Sequence, residues 1–219
     1  MEKQVKKIPA VEQVIEFRTW LDNLDDEAIM VKANAFLQEY DLSTQIYEEN
    51  GLYGVKDICG EVLVPAMFDE ITCCFDDMSR HWAVPAVKDG KMALVASDGK
   101  GTLLTPFEYD AINYYFCYYY LIKDGKMGLA SVGGYILVPA EMDKIYEPFN
   151  SLVAFEKDGK YGFSMLGSDV ITEAIYDDYE VGDDEYLIVV KDGVRGYLDE
   201  EGRFTTDSDD SFFHAGCCL

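Results

Sequence analysis

The densest concentration of side chains able to grip a ligand is the run at residues 113–120, NYYFCYYY, with five tyrosines and one phenylalanine. As a single strand it places Tyr114, Phe116, Tyr118 and Tyr120 on one face and Tyr115, Cys117 and Tyr119 on the other. Aromatic side chains fit a pleated surface, so one use is packing between neighbouring elements. The other is a surface of grouped tyrosines that binds a sugar, a choline-like cation or a peptide.

A second concentration holds six acids in nine residues: Asp177, Asp178, Glu180, Asp183, Asp184 and Glu185. A hard cation wants several oxygens, but no calcium-loop spacing is present, and the ordinary reading is a solvated acidic loop. Imidazole chemistry rests on His81 and His214 alone. Cys73, Cys74 and His81 could pair a nucleophile with a base, and His214, Cys217 and Cys218 could hold zinc. Neither set has a third partner at a useful spacing. With 42 acidic residues, a carboxylate pair of the glycosidase kind is found anywhere and means nothing. No glycine loop cradles a phosphate, because the glycines fall in hairpins. The residues thus point to no catalytic group, no metal and no cofactor.

The elements that carry these residues recur. Turn glycines stand at Gly51, Gly90, Gly125, Gly159 and Gly193, and each of the last four follows Lys-Asp. An Asp-Gly link between apolar runs favours a tight hairpin, since both residues take positive φ. Three residues on lies Gly54, Ala93, Gly128, Gly162 or Gly196. Glycine inside a strand marks a close approach by neighbouring backbone or a ring. A second turn follows, then Pro65, Pro106 or Pro139, with Glu173 at the fourth place. Proline cannot donate to a ladder, so it is expected to end a third strand. Four residues later comes Asp69, Asp110, Asp143 or Asp177, a residue type that bonds the backbone of a following turn. Features in fixed order at a period of 34–39 residues predict stacked three-stranded units, four full and a shortened fifth.

These features resemble the WG-containing (KWG-type) repeats of bacterial proteins across about residues 44 to 206. In that family each unit runs from a turn glycine through lysine, an aromatic and glycine to an apolar strand ending in proline and a YDxI-like close. The tryptophan of the family is replaced here by Tyr53, Met92, Met127, Tyr161 and Arg195. The resemblance implies a β-rich array that mediates protein contacts, and it implies no catalytic residue.

Residues 1–43 read differently. Val14, Phe17, Leu21 and Leu24, then Ile29, Ala33, Phe36, Leu37 and Tyr40, fall on helical stripes, which predicts a helical hairpin capping the array. Residues 207–219 form a tail. The six cysteines include two adjacent pairs and do not form a disulfide framework. The net charge is −24, from 42 acidic and 18 basic residues, which repels phosphate backbones and excludes nucleic acid. No stretch is long and apolar enough to span a bilayer, and charged residues interrupt any leader. A cytoplasmic site follows unless a leader has been removed.

The expected protein is mainly β: an N-terminal helical hairpin and five β-meander repeats in an open, curved or superhelical array. The alternative is a closed propeller-like ring in which the strand near residues 44–47 completes the fifth unit. The expected function is a non-catalytic scaffold for protein–protein interaction, with a basic partner favoured by charge. The alternative is a small-ligand or glycan-binding module that uses exposed tyrosines. The candidate binding residues are Tyr114, Tyr115, Tyr118, Tyr119, Tyr120, Asp178, Asp183, Asp184 and Glu185.

Overall fold

The computed structural model describes residues 45–57, 59–72, 83–115, 118–149, 151–166, 170–182 and 186–211. The expected helical hairpin at 1–43 lies outside them, as do Cys73, Cys74, His81, His214, Cys217 and Cys218. The described residues are mainly β-strand, in five antiparallel sheets, none of which closes into a barrel. The chain divides into two compact units, 1–107 and 108–219.

In the first unit, β1 (Gln45–Glu49), β2 (Leu52–Lys56) and β3 (Val62–Phe68) form one sheet. The second sheet joins β4 (Glu70–Ile71), β5 (Ala83–Lys88) and β6 (Lys91–Ala96). β1 pairs with β2 inside the first sheet, which removes the role that the ring alternative gave it.

The second unit has three sheets. The third sheet runs β7 (Ala111–Tyr115), β8 (Tyr118–Lys123), β9 (Lys126–Ser131) and β10 (Ile136–Met142). The fourth holds β11 (Lys144–Ile145), β12 (Leu152–Lys157) and β13 (Lys160–Met165). The fifth holds β14 (Asp178–Val181), β15 (Leu187–Lys191), β16 (Val194–Leu198) and β17 (Phe204–Thr205).

Each sheet is built on one hairpin. Asn50, Asp89, Asp124, Asp158 and Asp192 have φ of 50° to 55°, and the glycine after each has φ of 73° to 81°. That pair of left-handed residues matches the right-handed twist of the flanking strands.

The proline expectation needs correction. β3 runs through Pro65 and β10 runs through Pro139; neither ends there. Val64 pairs with Val55 and Phe68 with Tyr53, so four steps on β3 answer two on β2. β10 repeats this, with Val138 opposite Leu129 and Met142 opposite Met127. The outer strand bows away over the residue in between, which is Gly54 in one sheet and Gly128 in the other. A Cβ on Gly128 would lie 2.7 Å from the Ala140 nitrogen and 2.9 Å from the Val138 carbonyl oxygen. Proline is tolerated because an edge strand at a bulge needs no N–H there. The segment after β13 bows likewise, with Ile171 opposite Ser164 and Tyr176 opposite Tyr161, and Glu173 stands where proline would. Gly162 under it faces the Phe155 ring, and Gly196 faces the Thr205 carbonyl and the Phe204 ring. Pro106 is exposed and outside any strand.

The aspartates also fall differently. Asp69, Asp110, Asp143 and Asp177 do not close a unit; each immediately precedes the first strand of the next sheet. The fullest sheets therefore have four strands, not three. The N–H of each aspartate donates to a strand carbonyl two residues before the next hairpin turn: Val87, Ile122, Glu156 and Val190. Its carboxylate then accepts from that turn. Asp89 N–H donates to Asp69 at 2.7 Å, Asp124 N–H to Asp110 at 2.7 Å, and Asp158 N–H to Asp143 at 2.8 Å. Asp177 accepts from the N–H groups of Asp192 and Gly193. A left-handed turn residue is thereby held by a side chain fixed at the head of its own sheet.

The second oxygen of Asp143 pairs with Lys126, and Asp177 pairs with Lys160. The Lys126 ammonium, and then the Asp158 N–H, hold the Asp143 carboxyl below its ordinary range; Asp177 is lowered first by Lys160. A depressed folded-state pKa adds stability above the unfolded value of about 3.9 and loses it as the pH falls through the folded value. Asp143→Asn should therefore lower the urea midpoint at neutral pH, with the deficit shrinking as the pH is taken below about 4. An unchanged deficit in acid would show that charge has no part in this latch.

The core of the second unit has two parts, one on each face of the fourth sheet. Val153 and Phe155 of β12 pack with Leu129, Val138 and Met142 of the third sheet. Leu152 and Ala154 of the same strand, with Phe163 and Met165, pack with Leu187, Val189 and Leu198 of the fifth. β12 is accordingly apolar at consecutive positions, LVAF, because both of its faces are covered.

Candidate partner-binding surface

The tyrosine run is not one strand. Residues 111–115 and 118–123 are β7 and β8, paired with Tyr115 opposite Tyr118, Tyr114 opposite Tyr119 and Asn113 opposite Tyr120. Directly opposed residues share a face. One face thus carries Tyr114 and Tyr119; the other carries Tyr115, Tyr118 and Tyr120. Phe116 and Cys117 lie outside the described residues.

The five tyrosines divide by burial. Tyr119 is fully buried, and its ring lies 5.7 Å from that of Tyr114. Tyr118 and Tyr120 are half-buried against the core shared with the fourth sheet. Tyr114 and Tyr115, at the end of β7 that adjoins the connection to β8, keep 42% and 48% of their surface exposed.

Tyr115 anchors a corner. Its hydroxyl donates to Glu147 Oε1 at 3.4 Å, and its ring meets Tyr120 edge-on at 6.3 Å. Burial raises the Tyr120 hydroxyl pKa, and Glu147 raises it further. Tyr118 stands opposite Ser131, whose hydroxyl accepts the N–H of Tyr135 at 3.2 Å. The Tyr135 ring is 76% exposed, and Phe149, two residues beyond Glu147, is 57% exposed. Exposed aromatics therefore sit at the sheet end opposite the Asp-Gly turns. Single exposed aromatics are ordinary, whereas Tyr115 also engages a carboxylate, which makes this end of the sheet the one worth testing.

The acidic candidates do not gather. Asp177 is the latch described above, and Glu180 pairs with Arg195. Asp178 heads β14 and accepts the Tyr179 N–H at 2.9 Å. Asp183, Asp184 and Glu185 lie outside the described residues. Among the described residues no three His, Cys, Asp or Glu converge as they would around a metal. Two grooves of about 330 and 350 Å³ flank residues 171–175. Lys157 and Lys160 in the first are held by Glu141 and Asp177.

Two features escaped the sequence reading. Tyr146, Tyr161, Tyr179 and Phe163 form a chain of rings 5.1 to 6.4 Å apart between the fourth and fifth sheets. The Tyr146 hydroxyl donates to Glu156 Oε2 at 3.2 Å, and Lys144 Nζ lies 4.1 Å from its ring centroid. Burial, with Tyr161 and Glu156 after it, pushes the Tyr146 pKa up. The second feature is the start of the second turn, where Asp57 and Asp199 each accept two backbone N–H groups. Ser131 does similar work for Tyr135. All three stand six residues past a turn glycine, a spacing the sequence already contains.

No family model and no curated protein sequence matches the chain. Among solved structures it is similar to the computationally designed Ika8 protein, at 15% identity and a TM-score of 0.28 over 69% of this chain. The chain spans 56% of the length of that designed protein. A likeness this distant carries no weight for fold or function.

Proposed function

We propose that this chain is a non-catalytic scaffold of WG-like β-repeats that binds another protein in the cytoplasm. The observation that carries this reading is the exposed Tyr115 ring with its hydroxyl on Glu147, and Tyr114 exposed beside it on the opposite face of β7. Aromatics that are held by a rigid sheet give contact area at low cost in conformational freedom. The net charge of −24 favours a basic partner and steers its approach. The latched hairpins supply the rigidity, and no proton transfer or covalent step is required of any residue.

Affinity capture with the full chain from the cells that produce it tests the reading. The expected result is a discrete, salt-sensitive protein partner that is lost with Tyr114→Ala/Tyr115→Ala. Recovery of background proteins alone, or of a neutral oligosaccharide in place of a protein, would count against it.

A further inference from the structure

The groove of about 350 Å³ between the segment after β13 and the β16–β17 turn holds a cation whose counterparts in the neighbouring sheets are paired. In the third and fourth sheets the lysine before the Asp-Gly turn meets a glutamate two residues before the latch aspartate. Lys123 Nζ lies 2.7 Å from Glu108 Oε2, and Lys157 Nζ lies 2.9 Å from Glu141 Oε2. The same register brings Lys191 of the fifth sheet to Ile175, since the Asp177 N–H donates to Val190 as the Asp143 N–H donates to Glu156. Isoleucine offers no carboxylate. Lys191 is half-buried and has no ion-pair partner among the described residues.

The walls beside that ammonium are apolar. Ile171 and Ile175 keep 42% and 36% of their surface exposed, and Phe204 is half-buried. Arg203 and Glu201 also line the groove and bond each other, and Glu173 is exposed. Residues 108–219 carry 23 acidic and eight basic residues, but charges beyond about 8 Å are screened at physiological ionic strength. A carboxylate at Lys191 is therefore governed by the ammonium beside it. Lys88 provides a contrast. The Asp69 N–H donates to Val87, which gives Lys88 the same register to Met67. There Gly101 closes the seam: a Cβ on it would lie 2.8 Å from Met67 Sδ and 3.4 Å from Pro65 Cδ. Phe204 holds the place of Gly101, two residues past the second-turn glycine. Its ring turns in onto Gly196, and the seam stays open.

We infer that this groove binds a free monocarboxylic acid with an apolar body, of which a medium-chain fatty acid is the simplest case. The carboxylate takes the place that the Glu108 and Glu141 side chains take at Lys123 and Lys157. The apolar body lies along Ile171, Ile175 and Phe204, in a volume within the range of small-molecule sites. A dicarboxylate would have to place its second charge on those apolar walls and is disfavoured. The inference is independent of the partner-binding reading.

The test is a proton–nitrogen NMR titration of the full chain with octanoate, beside octanol. Octanoate should shift the amides of Ile175, Lys191 and Gly202 and bind about 5- to 10-fold more tightly than octanol. Lys191→Met keeps the stem of the side chain and should erase that preference. Ile175→Glu rebuilds the neighbouring pair within the chain and should lose octanoate, while a dispersed amide spectrum shows that the fold persists. Lys157→Met removes a lysine already paired with Glu141 and should leave octanoate binding unaltered. Equal binding of octanoate and octanol, octanoate binding that survives Ile175→Glu, or no shift at Lys191 would overturn the inference. A peptide ending in an apolar residue that binds at these amides more tightly than octanoate would also overturn it, because the occupant would then be a protein C-terminus.

Discussion

Phe163→Ala should destabilise the second unit by about 3–5 kcal/mol. Phe163 is fully buried on β13, between the fourth and fifth sheets, among Leu152, Met165, Leu187 and Leu198. Its ring lies 5.7 Å from Tyr176 and 5.1 Å from Tyr179. Truncation removes apolar area from the core and leaves a cavity that strands on both sides cannot fill, because each is tied into its own sheet. Against a total stability of about 5–15 kcal/mol, a loss of that size is a large share. Urea unfolding followed by circular dichroism measures it. A cost below about 1 kcal/mol would mean that these sheets are not packed through Phe163.

Gly128→Ala is the second large effect, expected at about 1–3 kcal/mol, the range found for overpacking. The added methyl would lie 2.7 Å from the Ala140 nitrogen and 2.8 Å from its Cα. Both are backbone atoms of the bowed outer strand, so no side chain can turn aside. Either β10 lifts from β9 or Met142 leaves the core. Ala93 occupies the corresponding place in the second sheet, where residues 102–105 pair with Leu94 and Ala96 of β6, and it is fully buried with its methyl accommodated. Ala93→Gly should cost only about 0.5–1 kcal/mol, the ordinary penalty of glycine in a strand. Equal costs at the two sites would show that the bow does not dictate the glycine.

Much of the architecture was legible because its rules are local. Asp-Gly between apolar runs is a turn on its own terms, and the hairpins at Gly90, Gly125, Gly159 and Gly193 needed nothing beyond it. Gly54 and Gly128 were readable as points of close approach, though not what approaches them. That is the bowed backbone after Pro65 and Pro139, and the same bow explains why proline lies within a strand. Sequence shows that proline lacks a donor. It does not show that two extra residues on the outer strand make the donor unnecessary.

The aspartates do bond a following turn, as expected, but the unit boundary at them was misplaced for a related reason. A YDxI string reads equally well as the end of one unit or the start of the next. Only the pairing of β4, β7, β11 and β14 with the following hairpins decides it. The tyrosine run misled because residues 116–117 hold no glycine, proline, asparagine or aspartate to mark a reversal. Read as one strand it grouped Tyr114 with Tyr118 and Tyr120; folded as a hairpin it groups Tyr115 with them. The Tyr115–Glu147 contact spans 32 residues and two sheets, and no periodicity contains it.

The binding claim is tested most directly in the producing cells, with a photo-crosslinking amino acid in place of Tyr114. That side chain is exposed at the end of β7, on the face opposite Tyr115. Irradiation should join the chain to one protein, and Tyr115→Ala should reduce the yield. Crosslinks only to further copies of this chain, or none above those from a probe placed at Glu200, would contradict it.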